Sequence, residues 1–392
     1  MKALFFSFAI CHIPLHAFAT SPFDFCAPHS TSSSVSAQLD DAAPMIKAMP
    51  VAQDKRDLMW TDLKIDLNEL KRMGGLSEKE ILRSLRDDYQ INVGVARPTS
   101  EEMQTIKSSL QAPTSASNIP QNLLDPSRAT KKTYYDELEN ADPIILKFTQ
   151  AFASQDGYGV FIRKGSDPLN AGTKARAHSI IFKDVAGKSV MIHEFAHFLI
   201  HQERERLGLT DPWAGPSDEE RSAWANVERL KSSGADNREY QQALLTANRL
   251  QFERQMQTTG EELDVHRLTL EHRQDLKISD DTQGMANALV VYKQNLDSLK
   301  TSTTAMRAEL INLRRQGLKA QTEAADLENA LMTAERKIMA SEKWFDATAA
   351  QMGYRFSPID ISSSDAPQKQ FLRNCHSSLA APSSPSRTGR CP

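Results

Sequence analysis

Val190-Met191-Ile192-His193-Glu194-Phe195-Ala196-His197-Phe198-Leu199 is the stretch whose reading decides the fold. Its centre is an H-E-x-x-H pentapeptide, and the flanks carry no charge and no proline, so it predicts a helix with an apolar side to bury. Residues four apart lie about one helical turn apart, and the two imidazoles project from one face. Two neutral imidazoles so placed make half of a tetrahedral Zn²⁺ site. Glu194 follows the first His, where a carboxylate reaches a metal-bound water and takes its proton. With His at only 10 of 392 positions, chance supplies such a match in roughly 1 of 50 proteins of this composition.

Working outward, residues 158–163 and 178–182 are rich in β-branched and aromatic side chains and predict two short strands. Gly, Ser, Asp, Pro and Asn between residues 165 and 172 supply the turn. His178 opens the second strand, facing either substrate or plain surface.

The ten residues from Val190 resemble the extended signature of the zincin metallopeptidases. That signature has Val or Thr three places before the first His, uncharged residues between the ligands, and an apolar residue two places after the second His. In that group the strand before the active-site helix forms the sheet edge on which an extended peptide pairs, which is β-augmentation. The resemblance implies Zn²⁺ on His193 and His197, with Glu194 as general base. A third ligand has four candidate sources. His201 shares the face, but on a straight helix it lies far along the axis, and the Gly turn of the metzincins is missing from His197-Phe198-Leu199-Ile200-His201. Glu219 and Glu220 lie about where thermolysin-like enzymes keep their Glu, in a segment that also reads as an ordinary acidic helix start. Gly260-Glu261-Glu262-Leu263-Asp264-Val265-His266-Arg267-Leu268 resembles the E-x-x-A-D helix of the membrane-protease-like gluzincins. Aligned on it, Glu262 becomes the third ligand. Val265 stands where Ala is usual and His266 where that group keeps an orienting Asp. A His there either donates to a carboxylate or approaches the metal itself. Glu261, Glu262 and Asp264 also read as a charged helix face.

The N-terminus predicts export. Met1-Lys2 is a positive start, residues 3–10 are apolar, and Ala17-Phe18-Ala19 is a cleavage site before Thr20. Residues 1–19 are expected to be a signal peptide, placing the protein in the periplasm or medium. No later run approaches a membrane span. Cys26, Cys375 and Cys391 then remain, far from the His motif and free to form one disulfide of unassigned pairing. Hydrophobic content of 40% and a net charge of −3 fit a globular protein and give no basic excess for nucleic acid.

Elsewhere the sequence reads as mostly helical. Residues 20–50 form a Ser/Ala/Pro-rich leader. Residues 57–73 predict a helix ended by Gly74-Gly75, and Ser77-Glu78-Lys79-Glu80 is a capping box opening a second helix through Leu85. Residues 100–128 read as linker. A helix is expected over 134–153, interrupted at Pro143. From Leu289 to Phe345 apolar or small residues recur at steps of three and four, a heptad seam for a coiled coil. Gly317 allows a hairpin turn in it, while the unbroken phase allows one continuous helix. The tail from residue 357 is Ser/Pro-rich.

The expected fold class is α+β: mainly α-helical, with a small zincin-like sheet packed on the HExxH helix and a long coiled-coil helix or helical hairpin after it. The expected divisions are 51–130 for the helical N-terminal region and linker, 131–280 for the metallopeptidase-like domain and 281–356 for the coiled coil. The expected function is a zinc metalloendopeptidase acting on peptide or protein substrates, with a homo-oligomer or partner helix on the 289–345 heptads. The alternative is a non-catalytic envelope scaffold with a zincin-like binding domain. A third reading makes residues 20–130 a pro-region over the cleft.

Overall fold

The structure, a computed structural model, describes residues 57–111, 123, 130–138, 142–234, 236–315, 322–354 and 356. The expected signal peptide and leader, Cys26, Cys375, Cys391, Gly317 and the Ser/Pro-rich tail lie outside these residues, as does most of the segment between 111 and 130.

The fold is α+β and mainly helical, with one three-stranded sheet. Asp66 opens α1 (Leu67–Gly75) by accepting hydrogen bonds from the Asn68 and Glu69 N–H groups. The helix expected from residue 57 therefore starts later, with its cap at Asp66; the segment before it is held by distant partners. The Ser77/Glu80 capping box opens α2 (Glu78–Asp87) as expected. Two elements are corrections. Residues 92–96 form β1 (Asn92–Ala96), and the supposed linker begins with α3 (Ser100–Gln111). A second capping box starts α3: Glu102 N–H donates to Thr99 Oγ1, and Thr99 N–H donates to Glu102. Pro143 does not interrupt a helix. It occupies the first turn of α4 (Pro143–Ala153), capped by Asp142, and a 3₁₀ turn over Thr133–Glu137 precedes it.

The sheet has the order β1-β3-β2, with β2 at Gly159–Ile162 and β3 at Ser179–Lys183. β1 runs parallel to β3, pairing Val93 with Ile180, and β2 runs antiparallel to it, pairing Val160 with Ile181. α4 covers one face through Ile145, Phe148 and Phe152. The other face, with Phe161, Ile180 and Phe182, meets α5 (Lys188–Leu207) through Phe195 and Phe198. Burial on both faces explains why Ile180, Ile181 and Phe182 run apolar without alternation through the middle of β3. The strand before the HExxH helix is not the sheet edge that the resemblance implies. It is central, with β1 and β2 as the two edges, and β2 is the edge beside the HExxH helix motif.

α5 ends at Gly208, whose φ of 64° is left-handed. After it come α6 (Asp218–Ser233), α7 (Asn237–Glu271), α8 (Thr282–Arg315) and α9 (Thr322–Gln351). The heptad run is an antiparallel hairpin of α8 and α9. Lys300 pairs with Glu342, Arg307 with Glu335 and Arg314 with Glu328, each step seven residues forward on α8 and seven back on α9. The seam is buried within the molecule from Leu289 through Leu313 and from Ala324 through Phe345. Even its poor apolar positions have a reason to be there: Ser341 accepts from Trp60 Nε1 at 3.1 Å.

Sheet pairing crosses the expected division at 130, and one core crosses the division at 280. Leu70, Tyr135, Phe182, Phe195, Leu263, Leu289 and Phe345 belong to a single apolar cluster. Among the described residues no helix is long and apolar enough to cross a membrane.

Candidate metal centre

α5 and α7 lie against each other, and each offers polar side chains to the crossing. His193, Glu194 and His197 come from α5; Glu261, Glu262 and His266 come from α7. The Nε2 atoms of His193 and His197 are 3.1 Å apart. Glu262 reaches both, at 3.5 Å from His193 Nε2 and 3.4 Å from His197 Nε2. These lengths can be tested against a metal. A tetrahedral Zn²⁺ with bonds of about 2.0–2.1 Å separates its ligand atoms by roughly 3.4 Å. The separations are close to that value, with the Glu262 carboxylate meeting His193 through Oε2 and His197 through Oε1. His201, Glu219 and Glu220 stay outside this donor set. Glu219 is exposed on the first turn of α6, and Glu220 is buried in an ion pair with Arg254 at 2.7 Å.

Sequence reasoning gives Glu261 no site role, yet it holds the donor set in place. His197 Nδ1–H donates to Glu261 Oε1 at 2.7 Å. Burial lowers the His197 pKa, but the Glu262 charge and the bonds to Glu261 and Glu262 outweigh it and raise it to about 10, so without a metal this imidazole is protonated. Once a metal displaces the Nε2 proton, the Nδ1–H bond to Glu261 fixes the tautomer that presents Nε2 to Glu262 and His193. Arg204 donates to the other Glu261 oxygen, and Arg163 lies 3.5 Å away. The expected charged face of α7 is therefore not solvated: Glu261 is 0% exposed and Asp264 is 1% exposed. A signal was present. Arg204 lies seven residues after His197, on the same face of α5, and so marks a buried anion there.

Electrostatics favour a cation. Burial raises the Glu262 carboxyl, but the charge and hydrogen bonds of His197 and His193 outweigh it and hold it well below its ordinary range. Burial likewise raises Glu261, and its bond to His197 with the Arg163 and Arg204 charges brings it to about 2. Glu194 goes the other way: burial raises it above its ordinary value, although the neighbouring imidazoles pull it down. Glu194 also takes a backbone hydrogen bond from Phe161 of β2. Gly159 lets that strand approach, since a Cβ there would meet the Glu194 carboxylate at 2.8 Å.

His266 stands on the open side. Its ring lies 4.2 Å from that of His193, and its Nε2 is 3.8 Å from Glu262. Its Nδ1 is buried with no partner among the described residues. Glu261, not the residue at 266, orients an imidazole. His178 is at a distance from this centre, beside His201, and its Nδ1 accepts from Lys164 N–H at 3.2 Å. His178, His201 and Glu205 also bring ligand atoms within 4.8 Å of one another. The Lys164 N–H occupies one His178 lone pair there, and Arg163 opposes a cation, so that cluster suits a metal less well.

The centre opens into a cleft of about 690 Å³. β2 forms one wall and α8 the other, and Trp213 lies edge-on over His197, with ring centroids 6.5 Å apart. Tyr158 O accepts from Lys183 N–H, so the backbone groups of Tyr158, Val160 and Ile162 face β3, and the antiparallel alternation turns the N–H and C=O of Gly159 and Phe161 toward the cleft.

No family model matches the sequence, and neither a curated protein nor a solved structure matches it.

Proposed function

We propose that the protein is a zinc-dependent endopeptidase with His193, His197 and Glu262 as metal ligands and Glu194 as general base. The observation that carries this reading is the meeting of two imidazole nitrogens 3.1 Å apart with the Glu262 carboxylate, whose two oxygens lie 3.5 Å from His193 and 3.4 Å from His197, with Glu194 beside them on α5 and a cleft above.

Zn²⁺ held there supplies a Lewis acid that polarises a carbonyl and lowers the pKa of water toward about 7. The protein's own residues do the rest. Burial keeps the Glu194 carboxyl above its ordinary value, which suits a group that must take a proton from water and later give it to the leaving amine. The Phe161 N–H aims the carboxylate, and Gly159 leaves room for it. The open edge of β2 offers the Gly159 N–H and C=O and the Phe161 C=O to an extended substrate, the strand-addition mode of peptide recognition. Glu261 keeps His197 in the liganding tautomer.

Elemental analysis of the purified protein and of His193→Ala, Glu262→Ala and Glu194→Gln tests this directly. One zinc per molecule is expected in the parent and in Glu194→Gln, and none in the other two. Cleavage of fluorescent casein is expected only from the parent. Cleavage by Glu194→Gln at the parent's rate would sink the general-base role.

A second reading is a non-catalytic binding module. His266 favours it, because a fourth donor beside His193 and Glu262 can close the position that a catalytic site keeps open. Zinc-dependent turnover of any peptide by the purified protein rules this reading out.

A further inference from the structure

The wall of the cleft opposite β2 is one face of α8. Gly284, Asn287, Ala288, Val291, Gln294 and Asn295 recur at helical spacing along it. Two asparagines on this face line the cleft. Asn295 is only 2% exposed, yet its Nδ2 has no partner among the described residues, and Asn287 Oδ1 has none either. A buried amide group without a partner is costly to keep, so such groups ask for an occupant.

Height along the cleft says which part of the site they serve. Gln255 of α7 donates to Ser302 of α8 at 2.9 Å. The two helices are antiparallel, so stepping seven residues along each brings Glu262 level with Asn295 and His266 level with Val291. Asn295 therefore stands beside the metal-ligand carboxylate. Asn287 lies two helical turns along, about 12 Å away at 1.5 Å per residue, which spans three to four residues of an extended peptide at about 3.4 Å each.

We infer that α8 is a second rail of a peptide groove, with Asn295 Nδ2 donating to a backbone carbonyl and Asn287 Oδ1 accepting a backbone N–H of an extended peptide. The occupant rests on the peptidase reading above; the rail itself rests on the two unpartnered amide ends. A strand lying between β2 and α8 is hydrogen-bonded along both edges. Recognition then falls on the peptide backbone, and Ala288 and Val291 between the asparagines leave an apolar floor for side chains of varied size.

The test uses the full-length protein with the Glu194→Gln substitution, so that bound peptide is not consumed. The probe is a fluorescein-labelled, unstructured casein peptide, read by anisotropy. Asn287→Ala and Asn295→Ala are each expected to weaken binding about five- to tenfold, the loss of one neutral hydrogen bond. Asn295→Leu keeps the volume and removes the donor, and it is expected to match Asn295→Ala. Metal content must stay at the parent value in all three. Methylating alternate peptide nitrogens of the probe is expected to abolish the difference between parent and Asn287→Ala. Unchanged affinity in all three variants, with the casein peptide still cleaved by the wild-type protein, overturns the rail and leaves the peptidase reading intact. Zinc-loaded protein that neither binds nor cleaves the probe overturns both.

Discussion

Glu261 shows how much of the proposed centre depends on a residue outside its set of donors. It joins His197, Arg204 and Arg163 in a network closed off from water. Removing one partner of a buried charge pair leaves the others uncompensated. Glu261→Ala is therefore expected to destabilise the fold by about 3–5 kcal/mol, measured by denaturant unfolding of the metal-free protein. Glu261→Gln keeps the shape and one acceptor but weakens the hold on the His197 tautomer. Its zinc affinity is expected to fall about 10- to 100-fold in competition with a chromophoric chelator. An unchanged affinity would mean that the bond to His197 does not tune the ligand. His266 gives the contrasting case. Its Nε2 is 3.8 Å from Glu262, longer than the other donor separations. His266→Ala is expected to keep one zinc per molecule with affinity changed by less than about tenfold, whereas a ligand deletion on the scale of His193→Ala loses the metal. The two outcomes separate an open centre from a closed one.

At the scale of elements, legibility followed how much each element depends on its own residues. The HExxH helix and the α2 capping box were readable because spacing and capping are local. β1 was not. Asn92-Val93-Gly94-Val95-Ala96 is short and broken by Gly, and it is a strand because β3 pairs with it. α3 was hidden by its Ser and Gln content, although Thr99 and Glu102 carried a capping box. The seam over 289–345 was visible as heptads, but the three-four step runs unbroken along the sequence between α8 and α9 and so does not distinguish one long helix from a hairpin. Of the proposed site, His193, Glu194, His197 and Glu262 are named by pattern and resemblance, and the structure brings them together. Glu261 and the edge role of β2 arise only when α5, α7 and the sheet meet. β3 also carries a polar surprise. Lys183 is fully buried, donating to the Gln155 carbonyl and lying 4.9 Å over the Phe152 ring. Burial lowers its pKa from 10.5 to about 7. Between those values the unfolded protein holds a proton that the folded one has released, so stability rises with pH through that window. From pH 7 to pH 9 the gain is at most about 2.7 kcal/mol, at 1.36 kcal/mol per unit. Lys183→Met is expected to remove that slope and to be the more stable protein at pH 7, as seen in unfolding midpoints at both pH values. An equal slope in the two proteins would place the titration elsewhere.

Over the whole molecule, α7 is the element to which everything else is tied. Its inner face carries Glu261 and Glu262, and its opposite side is strapped by the segment before α1. Asp264 accepts from Trp60 N–H, Thr61 N–H and the Thr61 hydroxyl, at 2.8 to 3.0 Å. Trp60 reaches on to Ser341 of α9. Gly260, one residue before the acidic pair, lets the strap lie flat, because a Cβ there would meet Trp60 Cβ at 2.6 Å. Gly260→Ala therefore pushes either Trp60 outward or α7 inward, and the expected cost is about 1–3 kcal/mol. The strap, the helices that carry the proposed metal ligands, the sheet and the α8–α9 hairpin share one apolar core, from Trp60 through Phe195 and Leu263 to Phe345. Metal bound at the α5–α7 crossing should then stabilise the described fold as a unit, since it binds the folded protein and not the unfolded one. With free zinc at 1,000 times Kd the added stability is about 4.1 kcal/mol. Stripping the metal with a chelator is expected to lower one cooperative melt, with helix signal and Trp fluorescence falling together. Because Trp60 and Trp344 report the strap and the hairpin, and Trp213 the cleft, a hairpin that melts at its own unchanged temperature would separate α8 and α9 from the metal-bearing core.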